Sequence, residues 1–212
     1  MRKILSILIF CVAIVQSNAQ KPNRFTKEEK ALIRSHPNEM MRVYNLSNPT
    51  DSIVLKSAST PIQPKHKFTA LLKERMLKSV KAAGGVGIAA PQVGINRRII
   101  LVQRFDKADK PFEFFINPEI IWASELMQLG PEGDLSFDER GQVMRHYSVT
   151  IKYQNSRGKT KYENLEGFTA VIFQHERDHL DGILLIDRTK EQKVQNFVPS
   201  TQKSDLYFEE QI

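Results

Sequence analysis

Residues 173–182 read Phe-Gln-His-Glu-Arg-Asp-His-Leu-Asp-Gly (FQHERDHLDG). His175 and His179 stand four residues apart, so on a helix they share one face about one turn from each other. Both imidazoles can then reach one ion. Glu176 lies beside the first histidine, next to the ion without pointing at it, where a glutamate serves as general base in H-E-x-x-H sites. Upstream, Phe168, Val171 and Ile172 fall on the same stripe as the two histidines. That spacing predicts a helix over 168–180 whose metal-bearing face turns inward. Asp178 and Asp181 are candidates to orient the histidines as hydrogen-bond acceptors. H-E-x-x-H also arises by chance on helices that bind nothing. It gains weight here because two of the five histidines share one apolar stripe with a glutamate between them.

Two histidines rarely hold a catalytic metal alone. Downstream, Leu185 stands where a third histidine three residues past Gly182 would be needed, and Glu191, Glu209 and Glu210 lie in no convincing helix. His36, His66 and His146 show no pattern. Upstream, the stretch GPEGDLS at 130–136 offers Asp134.

Around this helix the chain is short and β-rich. RRIILVQR (97–104), FEFFINP (112–118), EIIWASEL (119–126), VMRHYSVTIKYQN (143–155) and KTKYENLEG (159–167) read as strands, with a turn at Ser156-Arg157-Gly158. HKFTALLKERMLKSVKAA (66–83) has helical spacing and is stopped by Gly84-Gly85. Thr26 and Glu29 have capping-box spacing and predict a short helix over 26–35. From Val43 the chain alternates, with turn signals at Asn48-Pro49 and Thr60-Pro61. Strands grouped between two helices give an α+β fold.

The chain ends differ from the middle. Arg2 and Lys3, an apolar run over 4–15 and Ser17-Asn18-Ala19 form a secretory signal peptide over 1–19. The run is too short to span a bilayer, which takes roughly 20 apolar residues. No stable membrane insertion is expected after its removal, and the product is expected outside the cytoplasm, in the periplasm or beyond. Residues 20–42 read as an N-terminal extension, 43–190 as the domain and 191–212 as a polar tail. Cys11 is the single cysteine and falls within the signal, so no disulfide framework and no thiolate ligand remain. The net charge of +7 becomes +5 without Arg2 and Lys3, as 29 basic residues face 24 acidic ones. The basic residues are scattered, with no cluster interleaved with aromatics, so nucleic acid is not an expected partner.

Three ordered motifs carry a resemblance. GGVGIAAPQVG (84–94), EGDLS (132–136) and QHERDHLDG (174–182) resemble, in order and spacing, the peptide deformylase motifs G-x-G-x-A-A-P-Q, E-G-C-L-S and Q-H-E-x-D-H. The similarity runs from about Val43 to Arg188. It implies antiparallel sheets around a C-terminal metal-binding helix. It also implies an amidase that removes the formyl group from N-formylmethionyl peptides with one divalent ion, Fe2+ or Zn2+. Carried over, His175, His179 and Asp134 would bind the metal. Glu176 would take a proton from the bound water and pass it to the leaving amine. Gln92 and the backbone N–H of Leu135 would hold the oxyanion. Gly85 and Gly87 would let the backbone approach the substrate. Val86, Phe168, Val171 and Ile172 would line a pocket for methionine.

The departure is Asp134, where the family has its third ligand, cysteine; Asp138 also replaces the proline that follows L-S-x. Two histidines and a carboxylate form an ordinary catalytic zinc set, although a carboxylate is a harder ligand than a thiolate. Aspartate also resists the oxidation that an exported thiolate would face. Two readings follow: an exported enzyme acting on formyl peptides or another small N-acyl amide, and a catalytically impaired deformylase-like peptide-binding module in the cell envelope.

Overall fold

The computed structural model describes residues 24–210; the expected signal peptide lies outside them. The described chain is α+β. A five-stranded sheet has the order β1-β2-β3-β6-β7 and a four-stranded sheet the order β5-β4-β9-β8. The strands are β1 (Gly87–Ala89), β2 (Ile99–Gln103), β3 (Phe112–Ala123), β4 (Met127–Asp134), β5 (Phe137–His146), β6 (Ser148–Gln154), β7 (Thr160–Glu166), β8 (Phe197–Pro199) and β9 (Leu206–Glu209). All their pairings are antiparallel. The helices are α1 (Lys27–Arg34), α2 (Pro49–Leu55), α3 (Lys67–Ala82), α4 (Gly167–Leu180) and α5 (Leu185–Glu191).

The larger sheet is buried on both faces at β2. In β2, Ile99 and Leu101 join a cluster with Leu72, Met76 and Val80 of α3. Ile100 and Val102 join the other cluster, with Ile172 and Phe173 of α4. Alternate side chains of one strand thus serve two cores, which is why IILV reads as an unbroken apolar run rather than an alternating one. α4 ends at Leu180, and two residues on stands Gly182, whose φ of +72° is left-handed and whose hypothetical Cβ would stand 2.5 Å from Lys56 O. Only glycine fits that stop.

Several expectations change. FEFFINP and EIIWASEL are one strand, β3, with register shifts after Ile116 and Ile120. Asn117 takes φ +50° inside it. The stretch 143–155 is two strands in different sheets, β5 and β6, and 127–134 is a strand that the sequence does not announce. Asn48-Pro49 starts α2, with Asn48 as N-cap, rather than a turn. The metal-type helix is α4 and is not the last; α5 follows. Of the expected tail over 191–212, the described residues 191–210 are part of the fold, since β9 pairs with β4 at Met127 and Gln128. Nor does the structure show a break at 42. Phe25, Ile33 and Met41 sit in the first core, Thr26 and Glu29 form the expected capping box, and Glu29 is bidentate on the fully buried Arg97.

Asp51 of α2 holds the segment that follows Met41. It accepts from Arg42 Nη1 at 2.6 Å and Nη2 at 2.8 Å and from Asn45 N at 3.0 Å. These contacts, led by the Arg42 hydrogen bonds, hold its carboxyl below the ordinary value despite burial. A lowered folded-state pKa contributes stability above the unfolded value, which is lost as pH falls through the folded value. Asp51→Asn is therefore expected to cost about 1 kcal/mol at pH 7, limited by the solvent around Arg42. The difference from the unmutated protein should vanish as pH drops below about 4. Urea unfolding at a series of pH values measures it; a difference independent of pH would reject the ion-pair account.

Candidate metal centre

Three elements converge on one point. α4 supplies His175, Glu176 and His179. The short 3₁₀ turn Ala90–Val93 after β1 supplies Gln92. The β4–β5 hairpin supplies Asp134, at the end of β4, and Leu135 in its two-residue turn. A cleft of about 520 Å³ opens above them. Its walls include Gly85, Val86, Gly87, Gln92, Asp134, Leu135, Phe168, Val171, Ile172, His175 and Glu176. Every residue assigned to the site by the motifs is therefore at the cleft except His179, which is buried directly behind it. The stripe Phe168-Val171-Ile172 is not uniformly inward: Ile172 is buried, while Phe168 is 51% exposed at the rim, edge-on to Phe105 at 4.9 Å.

The inner geometry suits a small cation. His179 Nε2 is 3.2 Å from His175 Nε2 and 3.5 Å from Asp134 Oδ2. Donor atoms of Asp134, His175 and His179 all lie within 4.8 Å of one another. Tetrahedral ligands at 2.0–2.1 Å from an ion stand roughly 3.3 Å apart, so these separations fit one metal. Asp134 Oδ2 and Glu176 Oε2 are buried without a hydrogen-bond partner among the described residues, a costly state that a cation would relieve.

The electrostatics agree. Burial disfavours a charged His175, but Glu132, Glu176 and Asp134 outweigh it and hold the imidazole up at about 9. Burial, joined by Asp134 and Glu132, pushes Glu176 up to about 8. Both shifts have one sense: burial at Glu176 and the crowd of carboxylates around both groups favour the protonated forms of His175 and Glu176. His179 goes the other way, down to about 4, chiefly through burial, which keeps it neutral and able to bind metal.

The carboxylate that orients a histidine is Glu132, not Asp178 or Asp181. His175 Nδ1 lies 2.9 Å from Glu132 Oε2. A carboxylate only accepts, so Nδ1 carries the hydrogen and Nε2 faces the site. Glu132 is in turn gripped by Arg145 Nε at 2.8 Å and Nη2 at 2.9 Å. Burial would raise the Glu132 carboxyl, but Arg145 and His175 take it down to about 2. Asp178 points away, to Arg145 and Arg188, and Asp181 to Arg98 and Arg177. His179 Nδ1 has no hydrogen-bond partner among the described residues. The signal for Glu132 was present in the sequence: it opens the EGDLS motif.

An α+β frame that brings two histidines, an aspartate and a buried glutamate together at a cleft, with donor atoms spaced to hold one ion, fits a metal-dependent hydrolase. The family model described as polypeptide deformylase matches residues 40–195. A peptide deformylase of Caulobacter vibrioides is 40% identical over 148 residues, covering 69% of this chain and 86% of that protein. The crystal structure of peptide deformylase from Thermotoga maritima superposes with a TM-score of 0.64 at 36% identity, over 70% of this chain and 97% of that one. The Met-Ala-Ser-bound class I type b peptide deformylase of Acinetobacter baumannii gives 0.64 at 36% identity, over 70% and 99%. The chain belongs to the polypeptide deformylase family.

Proposed function

We propose that this cleft removes the formyl group from N-formylmethionyl peptides, with Asp134, His175 and His179 holding one divalent ion. The observation that carries the assignment of ligands is the convergence of His175 Nε2, His179 Nε2 and the unpartnered Asp134 Oδ2. An ion on these donors would supply Lewis acidity toward an amide carbonyl. Glu176 takes a proton from the attacking water through its free Oε2 and returns it to the leaving nitrogen. The water oxygen adds to the formyl carbon, the C–N bond breaks, and formate, the amine and one proton result. Gln92 and the Leu135 N–H stabilise the charge that develops on the carbonyl oxygen. Val86, Val171, Ile172 and Phe168 receive an unbranched apolar side chain, and Gly85 and Gly87 keep the floor low. The ion is Fe2+ or Zn2+, both compatible with two imidazoles and a carboxylate.

Metal content of the purified protein and of Asp134→Ala, with formyl-Met-Ala turnover on both, tests this reading. About one ion per chain, weakened in the variant together with turnover, is expected. An unmutated protein with neither metal nor turnover would leave a peptide-binding module.

Gly87 gives a second prediction. A Cβ there would stand 2.8 Å from both Ile172 Cγ2 and Glu176 Cγ, and closer still to Glu176 Oε1. Gly87→Ala should displace the base and lower kcat/KM by roughly 10²-fold, as displacements near 1 Å do, with metal content retained. Unchanged turnover would remove Glu176 from the chemistry.

We place the enzyme outside the cytoplasm, on the strength of the signal-like residues 1–19 and a ligand set free of thiols. Among the described residues no helix is long and apolar enough to cross a membrane. Mass spectrometry of the native protein should find a mature N-terminus near Gln20. A cytoplasmic protein retaining residues 1–19 would reject the placement. For an enzyme outside the cytoplasm, the substrate is an exported formyl peptide or another small N-acyl amide.

A further inference from the structure

Asp134 is held at one oxygen and free at the other. Oδ1 accepts from Ser136 N at 2.8 Å and from Gln92 Nε2 at 3.1 Å. Oδ2 is buried and unpartnered, facing His179 Nε2. A carboxylate presents two equivalent oxygens, so a neighbour must decide which one meets an ion. A thiolate presents a single atom and needs no such choice.

We infer that Gln92 is a positioning residue for Asp134: its side-chain amide occupies Oδ1 and leaves Oδ2 as the one oxygen offered to the metal. The inference rests on the ligand set proposed above and is specific to a chain with aspartate at this position. The orientation of Gln92 is itself fixed. Its Oε1 accepts from Ala89 N at 2.9 Å, so Nε2 is the atom that faces Asp134. The residue is 1% exposed, so its side chain is enclosed by protein. Nε2 carries two hydrogens; Asp134 takes one, and the other stays available for a substrate carbonyl.

The backbone behind the pair is tied together as well. Tyr44 N donates to Gln92 O at 2.8 Å and Leu46 N to Ser136 O at 2.9 Å. One segment therefore pins both groups that donate to Oδ1. Gln92 joins the metal site to the oxyanion site, and a ligand that differs from the family's cysteine is accommodated by a residue already in the motif.

The test is a double-mutant cycle read as the Zn2+ dissociation constant, by chelator competition. It compares the unmutated protein, Gln92→Leu, Asp134→Cys and the double variant, each checked for folding by circular dichroism. With Asp134 present, loss of Gln92 should weaken Zn2+ by about 10–100-fold, the usual effect of losing a partner of a ligand. In the Asp134→Cys background the same loss should change affinity by no more than about twofold, the margin within which independent sites add. Should Gln92→Leu fail to fold, Gln92→Asn keeps a neutral amide that is one methylene too short to span Ala89 and Asp134. Equal losses in both backgrounds, or none in either, would overturn the inference while leaving the ligand set standing. Failure of the unmutated protein to bind Zn2+ would overturn both.

Discussion

Glu176→Gln is expected to keep its metal and lose turnover of formyl-Met-Ala by about 10²–10⁴-fold, the range for removing a general acid–base group. The amide has the same shape and fills the same buried space, but it cannot accept and return a proton. Glu176 Oε2 has no hydrogen-bond partner among the described residues, so the change breaks no hydrogen bond seen there. Burial raises its carboxyl to about 8, with Asp134 and Glu132 acting in the same direction. A raised carboxyl pKa destabilises the fold at any pH above the unfolded value. The metal-stripped Glu176→Gln protein should therefore melt higher than the metal-stripped unmutated protein at pH 7. Higher stability with lower activity is the signature of a group kept for chemistry at the expense of the fold. Paired measurements of metal content, kcat and melting temperature decide it. A variant that turns over within tenfold of the unmutated rate would exclude Glu176 as the base.

The helices that carry or flank the site are legible because their signals are local. HKFTALLKERMLKSVKAA predicts 66–83 and forms Lys67–Ala82, with His66 as N-cap; 168–180 forms Gly167–Leu180. The site is legible through its motifs, since each chemical group sits at a fixed offset within one short segment. The connections between segments are not. Pro118 in FEFFINPEI marks a break by its chemistry, yet β3 continues through it. Asn117 makes that possible by a long-range contact: its side chain accepts from Ile62 N at 3.0 Å and donates to Ile62 O at 2.9 Å. Gly130, Pro131 and Gly133 hide β4, because its pairing depends on β5 and on the tail strand β9 rather than on propensity. The aspartates of the motif helix mislead for a related reason. Adjacency to a histidine in sequence says nothing about direction, and on α4 Asp178 projects toward Arg145 and Arg188.

The first of those arginines carries the last prediction. Arg145→Met should destabilise the protein by about 3–5 kcal/mol, the cost of breaking a buried ion pair from one side. Arg145 is 5% exposed and stands between Glu132, 8% exposed, and Asp178, 5% exposed. Asp178 keeps Arg188, at 2.6 Å and 2.8 Å, whereas among the described residues Glu132 keeps only His175. The larger share of the loss thus falls on Glu132, the group that orients His175. A freed Glu132 can rotate, and His175 Nε2 then loses its fixed direction toward Asp134 and His179. The variant should melt about 6–20 °C lower, from the usual shift of 2–4 °C per kcal/mol in a chain of this size. It should also bind Zn2+ more weakly by about 10-fold or more, as when the partner of a ligand is lost. Arg188→Met is the control: it removes a charge from Asp178 alone and should lower the melting temperature without matching the loss in metal affinity. Equal effects on metal from the two variants would mean that the ion-pair chain acts as a rigid unit and not through Glu132. Differential scanning calorimetry on metal-free protein and chelator competition on loaded protein separate the two.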